Sequence, residues 1–362
     1  MQVTSLLSSG WAGLLSGLPA SLDLTALARE RGAIVRSRRV SDGETLLRLA
    51  LWYGPGGMSL RSAAALATGT QTAELSDVAL LKRLCGAADW LEAIVSAMLI
   101  PGQTTQTINP MDASRPLVLI DGTALSQQGS HGTNWVLHSR YRPDTGFTGF
   151  TLTDCHGGET LTRHTINPGE IVVADRAYGR TKGLRHVLDH NADFVVRVGW
   201  RSLAWRNQHG EVLDLLALLE TVQPGEAGAF VVHAALGKDL LPVRLVVEAR
   251  DEHGAKAAIR KVKQKATKNG RIGDPRSCQA ARYMIIATSL DAHDYPPARI
   301  IELYRLRWQI ELAFKRLKSL VHLGRVPAKN ARLARTWLYA HLLFALLTDA
   351  MTQQVLDSPP CA

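Results

Sequence analysis

The chain predicts an α/β fold: a mixed sheet flanked by helices, with a β-rich insertion and a helical N-terminal region. Three observations support this. Leu and Ala recur at helical spacing from Ser21 to Leu99, the pattern of packed amphipathic helices. Beyond a polar stretch come short apolar runs bounded by turn residues, PLVLID, EIVVAD, DFVVRVGW and ARYMIIATSL, which read as buried strands. After the last of them, YRLRWQIELAFKRLK returns to a helical period.

Residues 1–110 form the helical N-terminal region, broken at Gly54-Pro55-Gly56-Gly57 and around Gly69. Within it SLRSAAALA and LSDVALLKRL predict two short helices. A helix-turn-helix would lay the second, from Ser76 to Leu84, in a major groove. An ordinary helical bundle fits as well, because only Lys82 and Arg83 on that helix are strongly basic; Arg29, Arg31, Arg36, Arg38 and Arg39 would then supply phosphate contacts. The polar, Thr-rich stretch Pro101 to Pro116 reads as a linker.

Residues 111–198 carry the first part of a core. One strand closes at Asp121, a hairpin turns around Pro143 to Gly146, a second strand closes at Asp175, and a helix reaches His190 before DFVVRVGW. Residues 199–282 form the insertion, mostly extended. Lys256, Arg260, Lys261, Lys263, Lys265, Lys268, Arg271 and Arg276 crowd one part of it against a lone Asp274; such a run predicts a mobile solvated loop. Residues 283–325 complete the core, and 326–362 form a C-terminal helical segment with a helix from about Asn330 to Val355.

A net charge of +10 with 46% hydrophobic residues describes a globular chain with a polyanionic partner, since neutralising phosphates releases counterions. Cys85, Cys155, Cys278 and Cys361 lack C-x-x-C or zinc-type spacing and read as reduced cytosolic thiols. Leu6 to Leu18 is interrupted by Ser and Gly, and Trp337 to Leu347 falls short of the roughly 20 residues that span a bilayer. Both read as core helices, so no membrane partner is expected. Gly54 to Gly57 is no Walker loop, Ser126 and Ser130 lack a nucleophile elbow, and no zincin pair of histidines occurs.

An acid at the end of a buried strand lies at a sheet's rim, where ligands of α/β domains collect; a turn-forming or helix-capping Asp is the plainer alternative. In the helical run, Tyr304, Arg307, Glu311 and Lys318 are separated by 3, 4 and 7 residues. At about 100° per residue they share an arc of roughly 60°, with Leu306, Ile310, Phe314, Leu317 and Leu320 opposite. Tyr304 and Lys318 then stand roughly 10 Å to either side of Glu311, a spacing that follows a DNA backbone past one carboxylate.

That spacing, Y-x2-R-x3-E-x6-K, resembles the YREK signature of the insertion-sequence-four family of bacterial DDE transposases. The resemblance runs from about Leu117 to Leu320 and is strongest at LVLIDGTAL, VVADRAY and the Tyr304 to Lys318 segment. It implies a ribonuclease-H-like core with a β-structured insertion between the second Asp and the Glu. Asp121, Asp175 and Glu311 would be the catalytic acids, holding two Mg²⁺ ions about 4 Å apart, with Mn²⁺ able to substitute and Asp121 bridging both. Tyr304, Arg307, Lys318, Arg176 and Arg197 would contact DNA. Tyr283 takes the place of an aromatic, often Trp, that stacks on a flipped base; a core Tyr is the alternative, and Trp200 and Trp205 are other stacking candidates. The implied activity is binding of terminal inverted repeats in double-stranded DNA, strand cleavage and transfer to target DNA by a homodimer in the cytoplasm, associated with the nucleoid. An endonuclease without strand transfer and a catalytically silent DNA-binding protein are the alternatives.

Overall fold

Strand β1 (Leu117–Gln127) organises the sheet. Leu117 and Leu119 enter one core while Val118 and Ile120 enter another, so β1 is apolar on both faces, as a strand covered by helices on each side must be. The order across the ten-stranded sheet is β3 (Gly146–Asp154), β2 (Trp135–Arg142), β1, β4 (Ile171–Ala174), β5 (Asp193–Arg197), β9 (Tyr283–Thr288), β8 (Asp239–Ala249), β7 (Ala227–Leu236) and β6 (Trp205–Arg206), with β10 (Arg325–Val326) pairing the far end of β1. Strands β1, β4 and β5 are parallel, and β2 and β3 form an antiparallel hairpin beside them. This is a ribonuclease-H-like arrangement. The computed structural model describes residues 3, 7, 9–37, 39–99, 115–130, 132–320, 323 and 325–357; Leu6, Arg38, Cys361 and most of the expected linker from Pro101 to Pro116 lie outside them.

The insertion extends the same sheet, because β9 lies between β5 and β8. Its basic run is no loop. It folds as α9 (Glu252–Lys268) and leads to α10 (Pro275–Ala280). Asp251 caps α9 by accepting from the Gly254 amide at 2.7 Å, Glu252 pairs with Lys256 at 2.6 Å, and Ala recurs between the lysines. Cap, ion pair and Ala-rich spacing all favour helix, and together they outweigh the charge repulsion. No residue of α9 is buried.

The N-terminal helices α1 (Trp11–Leu15), α2 (Leu24–Glu30), α3 (Gly43–Tyr53), α4 (Leu60–Gly69), α5 (Asp77–Cys85) and α6 (Ala88–Met98) precede the sheet, while α7 (Thr181–Asp189) and α8 (Leu215–Leu219) cover its second core. Side chains of Asp23, Asp42, Ser59 and Ser76 cap α2 to α5. Helices α4 and α5 are the two short helices expected, but Arg83 is engaged, donating to the Ala33 and Arg36 carbonyls at 3.3 and 3.2 Å. Helix α13 (Ala331–Asp357) packs among them: Thr336 Oγ1 donates to the Leu84 carbonyl at 2.6 Å, and Arg335 reaches Asp89 and Glu92.

The Tyr304 to Lys318 run is two helices rather than one: α11 (Pro297–Arg305) and α12 (Trp308–Leu320). Between them the Arg307 amide bonds to the Tyr304 carbonyl three residues back, which tightens the turn where α11 ends and α12 begins. Ile310, Phe314 and Leu317 still form the buried back of α12.

Candidate active site

Register places the candidate residues before any side chain is considered. Ile120 pairs with Ala174, and Ala174 with Val196, so the next residues along, Asp121, Asp175 and Arg197, stand in one row across three parallel strands. Strand alternation gives their direction. Leu119, Val173 and Val195, two residues earlier, all enter the core that holds Ile310 and Phe314 of α12. The row therefore faces the helix that carries Glu311. Asp121 does not close its strand: β4 ends at Ala174, while β1 runs on to Gln127 against β2. Asp175 does end its strand, and its side chain also accepts from the Ala177 amide at 2.8 Å, so it caps the turn Arg176–Tyr178 while standing in the row.

Arg307 links the third acid to the first. Its guanidinium hydrogen-bonds Glu311 and lies 3.7 Å from Asp121 Oδ2. Desolvation works against the Arg307 charge, but Tyr304 and Glu311 outweigh it and raise its pKa. Burial pushes the Asp121 carboxyl up to about 6, with Asp175 and Glu159 adding to the rise and the Gly122 amide and Arg307 opposing it. Oxygen donors of this kind suit a hard cation in their chemistry, and here the Arg307 guanidinium supplies the positive charge beside Asp121 and Glu311. Among the described residues, however, no three acid, His or Cys side chains already form a metal cage; Glu311 is held by Arg307 instead.

The other expected residues divide by exposure. Lys318 is exposed on α12. Arg176 is exposed, and its guanidinium lies across Gly199, where an added Cβ would meet it at 2.4 Å. Tyr304 departs from expectation. It is 7% exposed and packed in the core, with the Arg307 guanidinium 5.8 Å from its ring centroid, so it supports Arg307 rather than facing outward. Tyr283 is partly exposed and lines a groove with Lys263, Arg271 and Arg282. Trp205 is buried and donates to the Trp200 carbonyl, and Arg201 and Arg276 flank the Trp200 ring at 4.2 and 4.9 Å, which leaves neither indole open for stacking.

Register also brings the basic helix to this rim. Arg197 pairs with Ile286, and Ile286 with Val246, so β8 leaves the sheet at the edge where the acids stand and continues into α9. Arg305, at the end of α11, pairs with Glu248 of β8 at 2.9 Å.

Tyr178 closes the run VVADRAY, whereas the other polar groups here carry no mark in the sequence. Glu159 and Tyr178 flank Gly122: a Cβ on Gly122 would lie 2.7 Å from Glu159 Oε1 and 3.3 Å from Tyr178 Oη. Ser139 pairs with Asp121 across the ladder, its buried hydroxyl without a partner. His138 and His164 are buried behind the row. Burial, followed by Arg163, lowers His138 to about 4, and burial, followed by His138, lowers His164 to about 3. No spacing along the chain singles these residues out, since only the fold gathers them.

The model of the Transposase DDE domain matches residues 112–347. The putative transposase InsL for insertion sequence element IS186A of Escherichia coli (strain K12) is 38% identical over 357 residues, covering 97% of this chain and 96% of that protein. The transposase for insertion sequence element IS421 of Escherichia coli is 38% identical over 358 residues with the same coverage. The transposase for insertion sequence element IS231E of Bacillus thuringiensis subsp. finitimus is 24% identical over 172 residues, 43% of this chain and 36% of that protein. The chain belongs to the DDE transposase family, as its resemblance to the insertion-sequence-four transposases implies.

Proposed function

We propose that this transposase uses Asp121, Asp175 and Glu311 to hold a pair of Mg²⁺ ions, cuts DNA at the inverted ends of its own element, and joins each freed 3′-hydroxyl to target DNA. The observation that carries the reading is the row of Asp121, Asp175 and Arg197 beneath α12, with Glu311 tied to Asp121 through Arg307. When bound, the metal pair would activate the attacking oxygen and stabilise the leaving one. The chain's own residues position the reactants. Arg307, steadied by Tyr304, keeps Glu311 beside Asp121 until phosphate competes for its guanidinium, which frees Glu311 to join the other acids. Arg176, Arg197 and Lys318 take backbone phosphates on either side, and the Tyr283 ring receives an unstacked base at the groove beside α9. Each site handles one end, so a homodimer brings two ends together.

A strand-transfer assay with element ends, Mg²⁺ and plasmid target tests this. Joined products are expected. Cleavage alone would reduce the activity to an endonuclease, and a mobility shift without chemistry would make the chain a DNA-binding protein only. Asp121→Asn, Asp175→Asn and Glu311→Gln should each abolish cleavage while the shift persists. Near-normal nicking by any one of them removes that residue from the site.

A further inference from the structure

Glu159 follows β3 in the sequence CHGGET, away from the motifs that carry the three catalytic acids, yet the fold brings its carboxylate under the backbone of Gly122. It is partly buried, interacts electrostatically with both Asp121 and Asp175, and has no ion pair among the described residues. Close by, the Tyr178 hydroxyl is fully buried and without a hydrogen-bond partner. An unpaired carboxylate and an orphaned buried hydroxyl are each costly. They converge on one point because residue 122 has no side chain to fill it.

We propose that Glu159 is a fourth acid of the cation site and Tyr178 its companion, the pair holding the hydration shell of the bound ion from the sheet face opposite Arg307. One cation with its waters would satisfy both groups: its charge balances Glu159 beside Asp121 and Asp175, and a shell water takes the Tyr178 hydrogen bond. Mg²⁺ suits this role because it sheds water reluctantly and keeps several shell waters, and groups that hold such outer contacts typically set 10- to 100-fold of a metal's affinity. Glu159 is thus a positioning residue. Gly122 is required because any side chain there would displace it.

The inference rests on the cation-binding reading above, and the test separates the two. Mn²⁺ is titrated into the full metal-free chain, free Mn²⁺ being followed by electron paramagnetic resonance, for the wild type, Glu159→Gln, Tyr178→Phe, Gly122→Ala and Asp175→Asn. Glu159→Gln should weaken Mn²⁺ binding about 10- to 100-fold, with Gly122→Ala following it and Tyr178→Phe showing a smaller loss. Without metal, Glu159→Gln should melt no lower than the wild type, since it removes one of three mutually repelling carboxylates. Wild-type affinity in Glu159→Gln beside weakened Asp175→Asn overturns the role of Glu159 alone. Wild-type affinity in Asp175→Asn as well overturns the cation site and this proposal with it.

Discussion

Asp121 holds its proton more tightly in the fold than an ordinary aspartate does, its pKa moving from 3.8 to about 6 as burial and two neighbouring acids disfavour the charge. The folded chain therefore binds more protons than the unfolded one between those values, and stability falls as pH rises through that window. Above pH 6 the penalty is fully present; a shift of about two units corresponds to roughly 3 kcal/mol. Asp121→Asn should accordingly be more stable than the wild type in chelator at pH 7.5, and the gap should close toward pH 4, as read by denaturant unfolding. Adding Mn²⁺ should stabilise the wild type above pH 6 and leave the Asn variant unmoved. A gap independent of pH would mean that Asp121 is not the group titrating. The same residue marks a limit of legibility. The acid at the end of PLVLID stands out in the sequence, but β1 continues through GTALSQ because β2 supplies a partner after β4 has ended.

Helix α9 carries its positive charge on a scaffold that contributes little to the core, so its substitutions should separate binding from folding. Changing Lys256, Arg260 and Lys263 together to Ala should leave the circular dichroism and melting temperature near wild type, because all three are exposed. DNA affinity should fall, and the slope of log K against log salt should flatten by about 0.9 for each phosphate no longer neutralised. Lys318→Ala on α12 should flatten it by the equivalent of about one phosphate; an unchanged slope in fluorescence anisotropy would assign that lysine to solvent. These elements differ in how far the sequence announces them. Asp175 ends an apolar run, which is a local pattern, and the structure keeps it at a strand end, whereas Arg197 lies inside the run DFVVRVGW and only the structure ends the strand there. The Asp251 cap and the alanines of α9 are local signals too, but the density of lysines favours reading the run as a loop. The turn at Leu306 and Arg307 contains neither Gly nor Pro, so nothing local marks the point where α11 and α12 part. Glu159 is legible at no level, since its neighbours are Gly122 and Tyr178 only in space.

Across the whole molecule, one buried cluster joins parts that look separate in the sequence. Leu46 and Leu91 of the N-terminal helices, Leu343 of α13, and Leu119, Val173 and Ile286 on one face of the sheet belong to the same core. The N-terminal helices and the catalytic sheet therefore share apolar packing, and α13 is the element that returns from the sheet to the helices. Among the described residues no helix is long and apolar enough to cross a membrane. Leu343 is fully buried, and Leu343→Ala should cost about 2–5 kcal/mol through forfeited transfer energy and the cavity left behind. Because the core is shared, that destabilisation should lower a single thermal transition in which helical signal and catalytic-site protection disappear together. Two transitions, with only the first moved by the substitution, would mean that the helices and the sheet fold as separate units. Hydrogen exchange distinguishes the outcomes: amides of β1 and β4 should become less protected in Leu343→Ala although neither strand carries the substitution.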